Sequence, residues 1–201
     1  YFYHRHNDFW YHEAMKKLPE LTDSTRMLVC GEDLGMIPDC VKGVMDELRI
    51  LSLEIQRMPK NPAETFGNPA HYSYRSVCTI STHDMSTLRG WWHEDANLTR
   101  RYFYDVLGGW GDYPTEAPGW LCDTIVLKHL LGNSMLCILS LQDWLSINEE
   151  VRYPEADAER INVPANPRHY WRYRMHITLE DLMQRTAFND RIRDMIGKSG
   201  R

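Results

Sequence analysis

The chain has 201 residues, 43% hydrophobic and 25% charged, the balance of a soluble globular protein and not of a disordered one. Its net charge of −5 argues against a broad electrostatic grip on nucleic acid. Its longest clean apolar run, Met135 to Leu139, is far shorter than the about 20 residues a membrane span needs. Cys30, Cys40, Cys78, Cys122 and Cys137 are odd in number and form no CxxC pair. That pattern disfavours a disulfide framework or a four-thiolate zinc site and suits a reduced, cytoplasmic protein. The chain opens Tyr1-Phe2-Tyr3 with no initiator methionine and no signal-peptide pattern, as expected of a piece of a longer protein.

In chain order, residues 2–18 read as an amphipathic helix with Phe2, Phe9, Trp10 and Leu18 apolar, ended by Pro19. Its His4, His6 and His12 do not form the i,i+4 pair that metal binding favours, and they read as a solvated face. Met27-Leu28-Val29-Cys30 is a continuous apolar run stopped by Gly31, which predicts a strand buried on both faces. Pro38 followed by Val41, Val44, Met45 and Leu48 has helical spacing, with proline near the first turn. Leu51 to Gln56 alternates as a strand, and 58–73 is a proline-rich loop. Val77 to Thr82 is β-branched and strand-like. Residues 98–107 and 122–131 read as helices, each followed by a glycine. Gly108-Gly109-Trp110-Gly111 follows a helix, so it is no nucleotide loop. Met135 to Leu141 reads as a further strand or a short buried helix, 148–169 as a loop, and Thr178-x-x-Asp181 as a capping box before the last helical stretch. Strands alternating with helices predict an α/β parallel sheet.

Two acidic motifs follow predicted strands. Gly31-Glu32-Asp33-Leu34-Gly35 leaves the first apolar run. The C-terminal ends of parallel strands carry the active sites of α/β folds, and a carboxyl partly desolvated there suits general acid work. Alternatively the two acids cap the next helix. Ser81-Thr82-His83-Asp84 ends a later strand. Asp84 could stabilise a developing positive charge and His83 could bond a substrate hydroxyl, or the pair could be a satisfied histidine and a cap. A His-Asp pair also occurs in metal phosphohydrolases, but there on a helix with further ligands. Tyr170-Trp171-Arg172-Tyr173-Arg174 packs aromatics against cations, as in a cation–π corner or part of a sugar or anion site. Two carboxyl groups at strand ends fit glycoside chemistry, in which a retaining enzyme pairs an acid/base with a nucleophile about 5–5.5 Å away.

These segments together resemble a known family. Cys30-Gly-Glu-Asp-Leu-Gly35, Ser81-Thr-His-Asp84 with Arg89-Gly-Trp-Trp92, Leu141-Gln-Asp-Trp-Leu145, and Arg160-Ile-Asn-Val-Pro164 leading to Tyr170-Trp-Arg-Tyr-Arg174 are similar to the C-terminal part of 4-α-glucanotransferases. Those are the amylomaltases or disproportionating enzymes of glycoside hydrolase family 77. The resemblance covers nearly the whole chain. It implies that residues 1–201 are the C-terminal portion of a (β/α)8 barrel, about its last four strands, with the N-terminal half outside this chain. It implies Glu32 as general acid/base, Asp84 as the transition-state-stabilising carboxylate, and His83, Asp33, Trp91, Trp92 and Asn166 as sugar contacts. It further implies no metal or organic cofactor, and maltooligosaccharides, glucose or another α-glucan as partners. Nothing here matches the family's nucleophile motif: Arg5-His-Asn-Asp8 has the wrong spacing. Met85 stands where many members have Asn, and Ala165 where many have Gly, which bears on acceptor preference. A non-catalytic carbohydrate-binding piece is the alternative from another class. Half a barrel exposes two sheet edges, so the chain is also expected to self-associate.

Overall fold

A computed structural model describes residues 3–201; Phe2, read as part of the first helix, lies outside them. The chain folds as two compact units, one of residues up to Cys78 together with Asn133–Ile138, the other of Thr79–Gly132 with Leu139–Arg201.

The first unit begins with two helices where the sequence pattern suggests one, α1 (Asn7–Met15) and α2 (Leu18–Asp23). Pro19 does not end a helix. It stands in the first turn of α2, where its missing N–H is not needed. Helix α3 (Cys40–Leu48) follows Pro38 as expected and buries Val44 and Met45. Tyr11 donates to Glu47 at 2.8 Å, and Asn7 to Asp39 at 3.1 Å, tying α1 to α3. The sheet has the order β1 (Ser52–Ile55), β2 (Ser76–Thr79), β3 (Leu136–Cys137). Strands β2 and β3 are parallel, with Val77 opposite Leu136 and Cys78 opposite Cys137.

The predicted strand at 27–30 is corrected. It is reduced to a single parallel bridge between Cys30 and Leu51, held by Gly31 N–H to Leu51 O at 2.8 Å and Leu51 N–H to Val29 O at 3.0 Å. Met27 is 78% exposed and Leu28 is exposed as well. One edge of the run is paired, no described strand pairs with the other, and none of its four side chains is buried.

In the second unit two short helices were not evident in the sequence pattern. Helix α4 (Leu88–Glu94) starts where Thr87 Oγ1 accepts from Gly90 N–H, and α7 (Leu141–Leu145) where Ser140 accepts from Asp143 N–H. The helix expected at 98–107 is α5 (Ala96–Arg101), capped by Asp95, running into a π-helical turn over Tyr102–Val106. Helix α6 (Gly119–Leu130) supplies Leu121, Ile125 and Val126 to the core. Thr178 caps α8 (Leu179–Gln184) by accepting from Asp181 N–H, as the capping box predicts. Helix α9 (Thr186–Ser199) buries Phe188 and Met195, and Arg191 forks onto Asp123 of α6 through two bonds of 2.6 Å. No described helix is long and apolar enough to cross a membrane.

Candidate active site

In the first unit, Glu32 follows the Cys30–Leu51 bridge and is exposed to solvent. The desolvation that leaving a buried strand would impose on it is therefore not found, because the run before it is itself exposed. No described side chain pairs with Glu32. Its neighbour differs. Asp33 is 6% exposed. Its Oδ1 accepts from Leu53 N–H at 2.9 Å and its Oδ2 meets Lys60 Nζ at 2.6 Å. Lys60 also reaches Glu54 at 3.2 Å. Adjacent residues in extended backbone point opposite ways, and here one acid faces water while the other ties its loop to β1.

In the second unit, His83 and Asp84 are both exposed and 3.2 Å apart. Asp84 is not left to solvent alone: buried Asn162 donates its amide to Asp84 Oδ1 at 2.7 Å. Arg160 fixes Asn162 in turn, donating from Nε to its carbonyl at 2.9 Å. Trp171, largely exposed, sets its ring 5.1 Å from that of His83 at a tilt of 43°. A carboxylate, an imidazole and an open indole side by side make a surface suited to a sugar ring, polar at its hydroxyls and apolar on its faces. From sequence, Trp171 stands out only within the 170–174 run and Asn162 only within the 160–164 segment, neither with a role of its own. The crowding of aromatic and cationic residues at 170–174 was the available signal for Trp171, and nothing in the pattern separated Asn162 from its loop.

Beneath this surface the loop rests on buried polar groups. Arg89, at the start of α4, meets Glu159 at 2.5 Å and donates to the carbonyls of Tyr153 and Pro154. Glu159 also accepts from Thr87 at 2.9 Å. Burial pushes the Glu159 carboxyl up from its ordinary range, opposed by the Arg89 charge and by the Thr87 hydroxyl. Asp143 binds Ser81 and Leu88 N–H.

The remaining expected sugar contacts lie elsewhere. Trp91 and Trp92 are interior, Trp92 at 1% exposure. Trp91 packs edge-on to Tyr102, and Trp92 stacks on Tyr113 while donating its indole N–H to Pro114 O at 2.8 Å. Their rings build the core and present no open face. Asn166 is exposed in a turn and uses its side-chain oxygen to accept Arg168 N–H at 3.0 Å. Among the described residues no three His, Cys, Asp or Glu side chains cluster as metal ligands would.

A family model for 4-alpha-glucanotransferases, glycoside hydrolase family 77, matches residues 1–179. The chain belongs to this family. It is 42% identical over its full length to the 4-alpha-glucanotransferase DPE2 of Oryza sativa subsp. japonica, of which it covers 21%. It is 31% identical to the 4-alpha-glucanotransferase of Chlamydia caviae, over 90% of this chain and 34% of that protein. The chain thus spans about a fifth to a third of the length of these relatives. Among solved structures it is similar to an amylomaltase from Streptococcus agalactiae in complex with acarbose. The TM-score is 0.65 at 16% identity, over 86% of this chain and 32% of that one. An amylomaltase from Corynebacterium glutamicum gives a TM-score of 0.56 at 16% identity, over 86% of this chain and 28% of that one. The α/β architecture is therefore that of part of the amylomaltase barrel.

Proposed function

We propose that this chain supplies the acid/base and the transition-state-stabilising carboxylate of a retaining 4-α-glucanotransferase that works in the cytoplasm. Family membership supports the reaction, and the free cysteines support the compartment. The observation that carries the assignment is Asp84: an exposed carboxylate held by a buried amide and flanked by His83 and Trp171. In the reaction a carboxylate from outside this chain attacks the anomeric carbon of an α-1,4-glucan while Glu32 protonates the departing 4-oxygen. Glu32, now a carboxylate, takes the proton of the 4-hydroxyl of glucose or another glucan as that oxygen displaces the enzyme. Asp84 stabilises the oxocarbenium-like charge, and His83 bonds a hydroxyl of the same sugar. Asn166, exposed in its turn, adds a contact further along the glucan, and Met85 and Ala165 tune the choice of acceptor. Asp33 steadies the loop that carries Glu32, and Trp91 and Trp92 pack the interior of the unit that carries Asp84. A maltooligosaccharide is both donor and acceptor.

In the full-length enzyme, Glu32→Gln lowers glucose and longer maltooligosaccharide formation from maltotriose by about 10³-fold, within the span of catalytic losses for an acid/base, while maltotriose binding persists. Near-normal turnover overturns the acid/base assignment. The 201-residue chain incubated by itself with maltotriose gives no transfer, because it lacks the nucleophile. The same chain self-associates through the uncovered flank at Met27 and Leu28. A constant monomer mass by light scattering across a concentration series removes that part of the proposal.

A further inference from the structure

The geometry points to Asp143 as a positioning residue that acts through the His83–Asp84 loop, an inference that rests on the reading of Asp84 as a transition-state-stabilising group. Asp143 lies in α7 and is 0% exposed. No Lys, Arg or His pairs with it among the described residues. A carboxylate in such a place is tolerated when hydrogen bonds replace its water, and here they do so in a particular way. Oδ2 accepts from the Ser81 hydroxyl, and Oδ1 accepts from Leu88 N–H at 2.9 Å. Ser81 and Leu88 are the two ends of the segment that carries His83 and Asp84. One rigid planar group therefore fastens both ends of the loop.

The fastener is itself immobilised. Asp143 N–H donates to Ser140 Oγ at 3.1 Å, and Asp143 O accepts from Ser146 Oγ at 2.6 Å. Next to it Gln142 donates to Glu159 O at 3.2 Å, and Glu159 takes Thr87 from the same loop. The segment after Glu159 carries Asn162, the amide on Asp84. Asp84 is thus approached from its own loop and from Asn162, and α7 ties both to one frame. A hydrophobic residue of similar size would pack in this core at no charge cost. What the carboxylate adds is a fixed loop geometry, and a catalytic group displaced by about 1 Å can lose 10²-fold in rate.

The test has two arms. In the 201-residue chain, hydrogen exchange is followed over residues 81–88. Asp143→Ala speeds exchange there at least tenfold relative to α6 and α9. Asp143→Asn, which keeps an acceptor for Leu88 N–H and offers Ser81 a donor, restores protection. In the full-length enzyme at a temperature where each variant is folded, Asp143→Ala lowers kcat by about 10²-fold with KM within about threefold, the signature of an interaction used in the transition state. In an Asp84→Asn background the same change costs less than about threefold more, because the two residues act as a unit. A residue that merely stabilises the fold leaves kcat per folded molecule unchanged, or adds its full loss on top of Asp84→Asn; either result overturns the proposal. Unchanged exchange over 81–88 also overturns it. Should Asp143→Ala not fold, Ser81→Ala removes one fastening alone, and a kcat loss below twofold in that variant counts against the idea. If Asp84→Asn itself leaves transfer intact, the reading of Asp84 fails, and the exchange arm still decides whether Asp143 holds the loop.

Discussion

Glu32 and Asp84 each follow a strand-like segment, yet the two regions are supported in different ways. Around Asp84 the second unit provides a complete frame: Ser81, Thr87, Arg89, Asp143 and Glu159 are all buried, and each has a partner within that unit. Around Glu32 the first unit provides one buried side-chain anchor among the described residues, Asp33, held by Leu53 N–H and by a lysine that stays partly exposed, beside the backbone bond from Gly31 to Leu51. The run leading to Glu32 keeps one flank open, with Met27 and Leu28 in solvent. A barrel strand needs a neighbour on each side. The difference teaches that Asp84 sits on a buried polar frame of its own unit, whereas Glu32 stands beside one buried carboxylate and an open run.

The largest expected effect probes the second unit. Arg89→Leu leaves Glu159 buried without its cation, which costs about 3–5 kcal/mol for a broken buried pair. Urea unfolding should show this loss, and it should be confined to the signal of the second unit. Lys60→Met is the matching change in the first unit. Asp33 keeps Leu53 N–H but loses its charged partner, and an under-satisfied buried group costs about 1–3 kcal/mol. The Leu53 amide should exchange faster while α3 and the second unit are unchanged. Equal losses from the two substitutions would break the comparison.

How far these supports could be read from sequence depends on what each residue's partners are. Helix α3, β1, β2 and the Thr178 cap were legible because spacing and turn chemistry are local. The motif containing Asp143 was visible, but the link to Ser81 is not, since it joins positions far apart in the chain. Trp91 and Trp92 look alike to Trp171 in composition. Packing against Tyr102 and Tyr113 is what turns the first two inward and leaves the third open. The run at 27–30 reads as a buried strand because its residues suit one, yet in the structure it makes a single bridge and leaves Met27 and Leu28 exposed.

Cysteine chemistry sharpens the same contrast at intermediate size. Cys30 is exposed in the first unit, while Cys122 is buried in the second, where burial pushes its thiol up to about 12 against a small lowering from Ser146. At pH 8 a thiol reagent should modify Cys30 within minutes, and Cys122 only at the rate of unfolding, because the thiolate is the reacting form. Rapid modification of Cys122 would show that the second unit is looser than its buried frame implies.

The smallest effect concerns charge at a helix start. Glu149 accepts from Gly119 N–H at 2.5 Å at the first turn of α6. That bond holds its carboxyl below the usual range, opposed by slight burial and helped by Arg152 and Arg89. A carboxylate whose folded value is depressed stabilises the protein above its unfolded value, about 4.3 for glutamate. The contribution is lost as pH falls through the folded value. Because Glu149 is largely exposed, solvent screens the interaction, and about 0.5 kcal/mol is the scale for an acid at a helix N-terminus. Glu149→Gln should therefore lower the urea midpoint slightly at pH 7 and not at all at pH 2–3, where both proteins carry a neutral group. The gap at pH 7 should shrink in high salt, since screening weakens an exposed charge–dipole contact. A gap that persists unchanged at pH 2–3 would trace the stabilisation to packing against Gly119, where even a Cβ would lie 2.6 Å from the Glu149 carboxyl.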